Sequence, residues 1–398
     1  MWVYLLVLLL PACGGRAFNF LGTVMTFYPN ETSDDTVVLR YKLAFNECDN
    51  ISVLECPFAN CLLTVVSVDR VDEDSGGEWC LREVVVLVNT SSSKLFELRL
   101  TGGQWINVTN GVTDVLAVTH VDVRNRSSVS RANSSPVTTM LPILRVPSNC
   151  SMNWTLLTFD PDGDAVRCRF EDITSVLGLS SSCRLTFSPS NNSVEGAYAI
   201  QLLMEDFPLQ NITVTNGREV DVLGNRISQI PIQFVLMVVP PVASCDAFSP
   251  VVLNTTAANG HFFYATVNST VRLPIFAQSL SVSELLFCGP SSMNKTITEG
   301  RFELSWRPSD SDLGRSHPVC FVIQSTGESE NNLQSELRCV FVVVERVLAV
   351  LKAGLISQGS LSMEFLREVF LPQLRTKLVE QGWPRSFTLR LGNITLET

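Results

Sequence analysis

Apolar and polar side chains alternate one by one along several stretches of this 398-residue chain. The two clearest runs place their apolar residues two apart: Leu39, Tyr41, Leu43 and Phe45, then Phe96, Leu98 and Leu100. Successive side chains of a strand point to opposite faces, so a period of two predicts half-buried β-strands. A further apolar and β-branched run extends from Arg82 to Val88. We therefore predict a mainly β fold.

The N-terminus has the pattern of a secretory signal peptide. An apolar run from Trp2 to Leu10 is followed by Pro11, and small residues precede a cleavage site after Ala17. The run is too short to span a bilayer, and no later run reaches the ~18 apolar residues of a spanning helix. We expect a secreted, extracellular protein without a membrane span. A lipoprotein with a lipid on Cys13 is the alternative.

Glycosylation sequons support this location. Of 24 Asn residues, 14 begin an Asn-x-Ser/Thr sequon, whereas the Ser and Thr content would give about 4 by chance. Cys150 follows Asn149 and lowers the expected occupancy of that sequon. We predict N-glycans on the other thirteen: Asn30, Asn50, Asn89, Asn107, Asn125, Asn133, Asn153, Asn191, Asn211, Asn254, Asn268, Asn294 and Asn393.

The cysteines predict disulfides. Twelve are present, and removal of Cys13 with the signal peptide leaves an odd number, so one thiol is free or intermolecular. None has the spacing of a zinc site, and an oxidising compartment favours disulfides. Cys320 and Cys339 flank a short polar loop, which suggests a bridge between neighbouring strands. The candidates are Cys48, Cys56, Cys61, Cys80, Cys150, Cys168, Cys183, Cys245, Cys320 and Cys339, with connectivity open.

Composition shifts and turn residues divide the chain into five segments. We expect a signal peptide (1–17), an all-β disulfide-containing domain (18–145), two β-sandwiches (146–240 and 241–345) and a β-α-β tail (346–398). The polar stretch 125–139 is expected to be a loop or linker. In the tail, a helix from Leu361 to Glu380 is expected between two strands, kinked at Pro372.

The two sandwiches contain an internal repeat. The stretch LTFSPSNNSVEGAYAI beginning at Leu185 matches LSWRPSDSDLGRSHPV beginning at Leu304. The repeat spans roughly 100 residues, the size of a sandwich domain. The matching positions are Phe187 with Trp306, Pro189 with Pro308, and Gly196 with Gly314.

The motif Phe-Asp-Pro-Asp-Gly-Asp begins at Phe159 and precedes a strand and an aromatic-x-Pro turn. This order resembles cadherin-like and Ig-like β-sandwich modules, over about residues 20–345. The whole arrangement also resembles vertebrate secreted glycoproteins related to zona-pellucida and von Willebrand-type proteins. The resemblance implies tandem Ig/cadherin-like sandwiches, with segment 146–240 as the cadherin-like copy.

The same motif is the best candidate for a ligand site. Three carboxylates on one turn suit a hard cation that takes six to eight oxygen ligands. The cadherin-like resemblance adds a partner pair at the end of a later strand, so the implied calcium ligands are Asp160, Asp162, Asp164, Glu205 and Asp206. The alternative is a tight turn that binds no metal. We expect no other cofactor.

A second acidic group surrounds Gly76 and Gly77, and such charge runs are usually solvated. We interpret it as an exposed hairpin loop, with the acids Asp69, Asp72, Glu73, Asp74 and Glu78. No catalytic motif is present. We therefore predict no catalytic residues and no enzyme, with a secreted hydrolase as the most distant reading.

The net charge of −10 leaves no basic field to capture phosphates, which argues against nucleic-acid binding. Two functions remain. The first is a secreted glycoprotein that recognises or adheres to an extracellular protein. The second is a structural component of an extracellular matrix or egg coat that associates with itself.

Overall fold

The computed structural model describes residues 19–30, 33, 35–46, 53–55, 63–91, 93–129, 131–171, 176–189, 194–216, 219–245, 250–278, 283–298, 301–326, 332–345, 362, 365–381 and 389. The fold is mainly β, as predicted. The chain divides into two units, Met1–Leu348 and Ala349–Thr398. The predicted signal peptide lies outside the described residues.

We refer to the first seven described strands as the first module. They are β1 (Asn19–Pro29), β2 (Thr36–Phe45), β3 (Val53–Glu55), β4 (Leu63–Glu73), β5 (Cys80–Asn89), β6 (Leu95–Trp105) and β7 (Asp114–Asp122). β1 pairs antiparallel with β2, and its first two residues pair parallel with β6. The alternation predicted for β2 is present: Leu39, Tyr41 and Leu43 are buried, while Arg40 and Lys42 are half-buried.

The second module follows two short strands, β8 (Asn125–Arg126) and β9 (Arg131–Ala132). Its strands are β10 (Ile143–Pro147), β11 (Met152–Thr155), β12 (Ala165–Phe170), β13 (Gly178–Leu179), β14 (Arg184–Phe187), β15 (Gly196–Phe207), β16 (Ile212–Asn216), β17 (Glu219–Leu223) and β18 (Gln229–Val239). One layer has the order β12, β15, β18, with β10 parallel to β18; the other has the order β11, β14, β13.

The third module repeats this pairing. Its strands are β19 (Val251–Val252), β20 (His261–Thr266), β21 (Val271–Gln278), β22 (Ser283–Cys288), β23 (Asn294–Thr298), β24 (Arg301–Trp306), β25 (Ser316–Thr326), β26 (Asn332–Gln334) and β27 (Arg338–Glu345), with a 3-10 turn at Asp310–Asp312. β20 is parallel to β27, and β25 lies antiparallel between β27 and β22. β10, β18, β15 and β12 have the same relation in the second module.

The matched sequence positions occupy equivalent places. Phe187 ends β14 and Trp306 ends β24, and both side chains are buried. Gly196 opens β15 and Gly314 shortly precedes β25, and both have positive φ angles. The repeat seen in the sequence therefore corresponds to one strand–turn–strand unit used twice.

The modules are not simply in series. β18 of the second module pairs with β1 and β7 of the first, so one eleven-stranded sheet crosses both. β10 begins at Ile143, and the predicted boundary after residue 145 therefore falls inside a strand. At the crossing, Gly22 has φ +149°, and a Cβ there would lie 2.1 Å from the Gln233 carbonyl oxygen.

The expected linker 125–139 is largely buried rather than solvated. It contains β8 and β9, and Asn133 and Ser135 have no exposed surface. The Phe27 backbone N–H donates to Ser135 Oγ at 3.0 Å, so hydrogen bonding to the first module allows this polar segment to be buried. We refer to residues 125–139 as the strap.

In the second unit, a π-helical turn (Leu366–Phe370) leads directly into α1 (Leu371–Glu380). Pro372 is the second residue of α1. Proline lacks the N–H that a continuous α-helix needs, which accounts for the irregular turn at the position of the expected kink. The two strands expected around this helix lie outside the described residues, apart from Leu389.

Candidate metal centre

The Asp-Pro-Asp-Gly-Asp loop folds around the carboxylate of Asp160. Its Oδ1 accepts hydrogen bonds from the backbone N–H groups of Asp162, at 2.8 Å, and Asp164, at 3.1 Å. Gly163 has φ +85°, and its N–H donates to the Asp160 carbonyl oxygen. The motif thus forms the tight turn that its sequence predicts. The second carboxylate oxygen of Asp160, Oδ2, takes no part in these hydrogen bonds.

Three carboxylates converge beside this turn. Asp160, Asp164 and Asp206 each offer an oxygen within 4.8 Å of the others. Asp206 lies on β15 with no exposed surface, and Asp160 is only 7% exposed. Asp160 Oδ2 is buried and has no hydrogen-bond partner among the described residues. Because buried polar atoms are nearly always paired, this oxygen marks a place where a partner fits.

Burial disfavours the charged forms of Asp160 and Asp206. It raises the pKa of Asp160 to about 7, and the negative charge of Asp206 adds to that shift. Burial likewise raises the pKa of Asp206 to about 6, against hydrogen bonds from Asn133 and Ser228 that lower it. A divalent cation would favour the charged forms by direct attraction.

Arg126 supplies part of the missing positive charge. Its guanidinium, almost wholly buried, donates to both carboxylate oxygens of Asp164, at 2.6 and 2.7 Å. Its Nη1 also lies 3.5 Å from Asp162. Burial opposes the charge of Arg126, but its carboxylate partners raise its pKa overall. Arg126 belongs to the strap, so the acidic cluster is tied to the segment that joins the first two modules.

Among the described residues, Asp162 and Glu205 lie outside the group of three carboxylates whose oxygens come within 4.8 Å of one another. Asp162 Oδ2 accepts a hydrogen bond from the Ser134 N–H at 2.7 Å. Glu205 Oε1 contacts Arg169 at 3.1 Å and Arg226 at 2.9 Å. Glu205 and Asp206 are consecutive residues of β15, so their side chains point to opposite faces and do not reach one site. The ligand set supported by geometry is therefore Asp160, Asp164 and Asp206.

Asn133 also has a different place from the one its sequon predicts. It has no exposed surface, its Nδ2 donates to Asp206 Oδ2 at 3.1 Å, and its Oδ1 accepts from Arg126. This environment leaves no room for a glycan in the folded protein. The sequon by itself predicts a glycosylated asparagine, and no local sequence pattern indicates that this polar segment is buried.

The other sequon asparagines remain glycosylation predictions. Asn30 is half-buried, and Asn50, Asn191 and Asn393 lie outside the described residues. The remaining eight are exposed: Asn89, Asn107, Asn125, Asn153, Asn211, Asn254, Asn268 and Asn294.

The structure assigns most of the cysteines. Disulfides join Cys150 to Cys245, Cys168 to Cys183 and Cys320 to Cys339. The last pair lies directly opposite on β25 and β27, which confirms the predicted bridge between neighbouring strands. Cys80 is also disulfide-bonded, whereas Cys48, Cys56 and Cys61 lie outside the described residues. Among the described cysteines, Cys288 is free and buried.

The prediction that the second acidic group is a solvated loop is wrong for two of its members. Asp72 and Asp74 are 6% and 3% exposed. Asp72 forms an ion pair with Lys295 at 2.8 Å and accepts a hydrogen bond from the Phe287 N–H. Asp74 accepts one from Gln324 at 3.3 Å. These acids dock the β4–β5 hairpin onto the third module, a long-range contact with no local signal.

No protein-family model and no curated protein matches this sequence. The resemblance to zona-pellucida and von Willebrand-type proteins therefore has no support. Among the described residues, no helix has the length and apolar character needed to cross a membrane.

Several solved structures are similar at low identity. An endo-fucoidan hydrolase of glycoside hydrolase family 107 is 12% identical, with a TM-score of 0.21 over 72% of this chain, which spans only 39% of that hydrolase. A tandem of titin Ig domains is 10% identical, with a TM-score of 0.18 over 53% of this chain and 97% of its own. The N-terminal Ig1-2 module of the Drosophila receptor protein tyrosine phosphatase DLAR is 11% identical, with a TM-score of 0.21 over 53% of this chain and 95% of its own.

These comparisons correct one prediction. We predicted no enzyme because catalytic motifs are missing, with a secreted hydrolase as the most distant reading, yet similar solved structures include glycoside hydrolases. Catalytic residues can meet only in the folded protein, so a missing motif does not exclude them. The prediction of no enzyme therefore does not stand. At these TM-scores the likeness carries no argument about what this chain does.

Proposed function

We propose that the protein is an extracellular recognition or adhesion glycoprotein whose second module binds calcium at Asp160, Asp164 and Asp206. The observation that carries the calcium site is the buried Asp160 Oδ2, which has no hydrogen-bond partner within the described part of the chain and lies beside two other carboxylates. Hard cations bind such oxygen ligands, and water would complete the coordination. The disulfides between described cysteines are compatible with an extracellular protein.

Calcium would act structurally by joining separate parts of the second module. Asp160 and Asp164 lie in the turn before β12, whereas Asp206 lies on β15. Asn133 and Arg126 link the same carboxylates to the strap. A bound cation would therefore stiffen the junction between the first and second modules, and a rigid arrangement lowers the entropy lost when a partner binds.

The test is the melting temperature of the secreted protein with millimolar calcium and with chelator. We expect calcium to raise Tm by several degrees, because a ligand at 100 times its Kd stabilises the fold by ~2.7 kcal/mol. Asp160→Asn should abolish the shift. Asp162→Asn is the matched control and should keep it, because Asp162 lies outside the group of three converging carboxylates.

Lowering the pH should reduce the rise in Tm that calcium causes. The pKa of Asp160 is raised to about 7, so protons compete with the cation for this carboxylate as the pH falls. A calcium shift that is equal in the wild type and Asp160→Asn, or absent in both, would refute the site. Either outcome would leave the recognition hypothesis to be judged by partner binding.

The alternative proposal is a matrix component that associates with itself. Burial of Cys288 disfavours covalent assembly through that thiol. Sedimentation of the secreted protein across a range of concentrations separates the two proposals. A monomer at all concentrations supports recognition of a different protein, whereas concentration-dependent multimers support self-association.

A further inference from the structure

A small sheet formed by strands of the strap and of the second module exposes apolar side chains. Its strand order is β17, β16, β8, β9. Val220 and Val222 on β17 are 61% and 68% exposed. On the other face, Ile212 and Val214 are buried. β17 is thus an edge strand with two exposed β-branched residues, a feature that invites pairing with other chains unless it is covered.

The register places a sequon asparagine on the same face as these valines. Thr215 of β16 lies opposite Val220 on one side and opposite Asn125 of β8 on the other. Cross-strand partners project from the same face, so Val220, Thr215 and Asn125 form one row. A parallel row begins with Val222, which lies opposite Thr213.

Asn125 is exposed and is therefore accessible to modification. It stands two strand spacings from Val220, ~10 Å across the sheet. Thr215, between them, is half-buried and short, so it leaves the path over the sheet open. The first sugars of an N-linked glycan can lie along this row, with their C–H faces and acetyl methyl group against the threonine and valine methyls.

We propose that an N-glycan on Asn125 covers this face, with its core N-acetylglucosamine residues packed on Thr215, Val220 and Val222. The glycan removes apolar surface from water in the same way as a protein side chain does. It also blocks the open edge at β17 by its bulk. The inference rests on the proposed passage of the chain through a secretory pathway.

Asn294 provides a matched control within the same chain. It is an exposed sequon asparagine on strand β23, and its cross-strand partner is Ser305, a polar residue. A glycan at Asn294 therefore has no apolar partner opposite it. Loss of the Asn294 glycan should leave stability and surface hydrophobicity unchanged.

The experiment compares the secreted wild type with Asn125→Gln and Asn294→Gln. It also compares a variant that carries both Val220→Thr and Val222→Thr, with and without Asn125→Gln. We expect Asn125→Gln to lower Tm by about 2–4 °C, the scale of a small loss of packing in a domain of this size. It should also increase binding of a hydrophobic dye. In the variant that carries both Val220→Thr and Val222→Thr, Asn125→Gln should change neither Tm nor dye binding. Trimming of the glycan to its first sugar should retain most of the stability.

Three outcomes would overturn the inference. The first is an Asn125 that mass spectrometry finds unmodified while Asn294 is occupied. The second is equal effects of Asn125→Gln and Asn294→Gln. The third is an Asn125→Gln effect that is unchanged when both valines are threonine. A secreted protein with no occupied sequon would instead refute the proposed glycoprotein function itself.

Discussion

Replacing Lys295 by methionine removes the cation that faces the buried carboxylate of Asp72. The Nζ–Oδ1 distance is 2.8 Å, and the two side chains are 26% and 5% exposed. Asp72 also accepts the Phe287 N–H at 3.0 Å. Breaking a buried ion pair leaves the remaining charge buried without a partner, which lowers the free energy of unfolding by ~3–5 kcal/mol. Because Lys295 is partly exposed, we expect Lys295→Met to lower the free energy of unfolding by an amount near the lower end of this range, ~3 kcal/mol at about pH 7.5.

The cost should depend on pH in a defined direction. Burial raises the folded-state pKa of Asp72 from 3.8 to about 6, while Lys295 lowers it. A carboxyl with a raised pKa stabilises the fold fully below its unfolded pKa, and this stabilisation is lost as the pH rises through the folded pKa. Without Lys295 the pKa of Asp72 rises further. At about pH 5 the stranded group is protonated, and the cost should fall to ~1 kcal/mol.

Urea denaturation at about pH 5 and pH 7.5, followed by tryptophan fluorescence, measures the effect as a difference from wild type at each pH. Asp72→Asn should remove the pH dependence contributed by this group, because the amide accepts the Phe287 N–H without titrating. Arg99→Met is the control, since its pair with Glu97 is exposed and is worth ~0.5 kcal/mol. A Lys295→Met cost that is equal at both pH values would refute the reasoning.

Two further predictions concern packing. Gly22→Ala should lower the free energy of unfolding by ~3 kcal/mol, because its φ is +149° and its Cβ would meet the Gln233 backbone. Gly77→Ala, with φ +74° and open space, should cost ~1 kcal/mol, and equal costs in denaturation would contradict this account. The Cys288 thiol should react with an alkylating reagent only after unfolding, since it is buried and burial raises its pKa. Rapid labelling of the native protein at Cys288, read by mass spectrometry, would contradict its burial.

Structural features that depend on residues close together along the chain could be predicted from the sequence. The alternation in β2 predicts its buried face because strand periodicity is a property of neighbouring residues. The repeat that matches Phe187 with Trp306 predicts one strand–turn–strand unit used twice. The bridge between Cys320 and Cys339 was indicated by two apolar runs that flank a short polar stretch, and these runs form the paired strands β25 and β27.

Burial of polar residues was not predictable from the same signals. Asp72 and Asn133 lie in polar stretches that read as solvated, yet contacts with distant residues bury both. The candidate metal centre is a mixed case. Asp160 and Asp164 belong to one turn motif, whereas the choice of Asp206 over Glu205 follows from the face of β15 that meets this turn.

The sequence alone determined the mainly β class, the repeated unit and the turn at Asp160, because each depends on residues close together along the chain. Tertiary structure decided the shared sheet of the first two modules, the docking of Asp72 and the convergence of Asp206 with Asp160. These features depend on which strand faces pack together. That choice is made by the summed burial of many side chains across the fold, and no short segment encodes it.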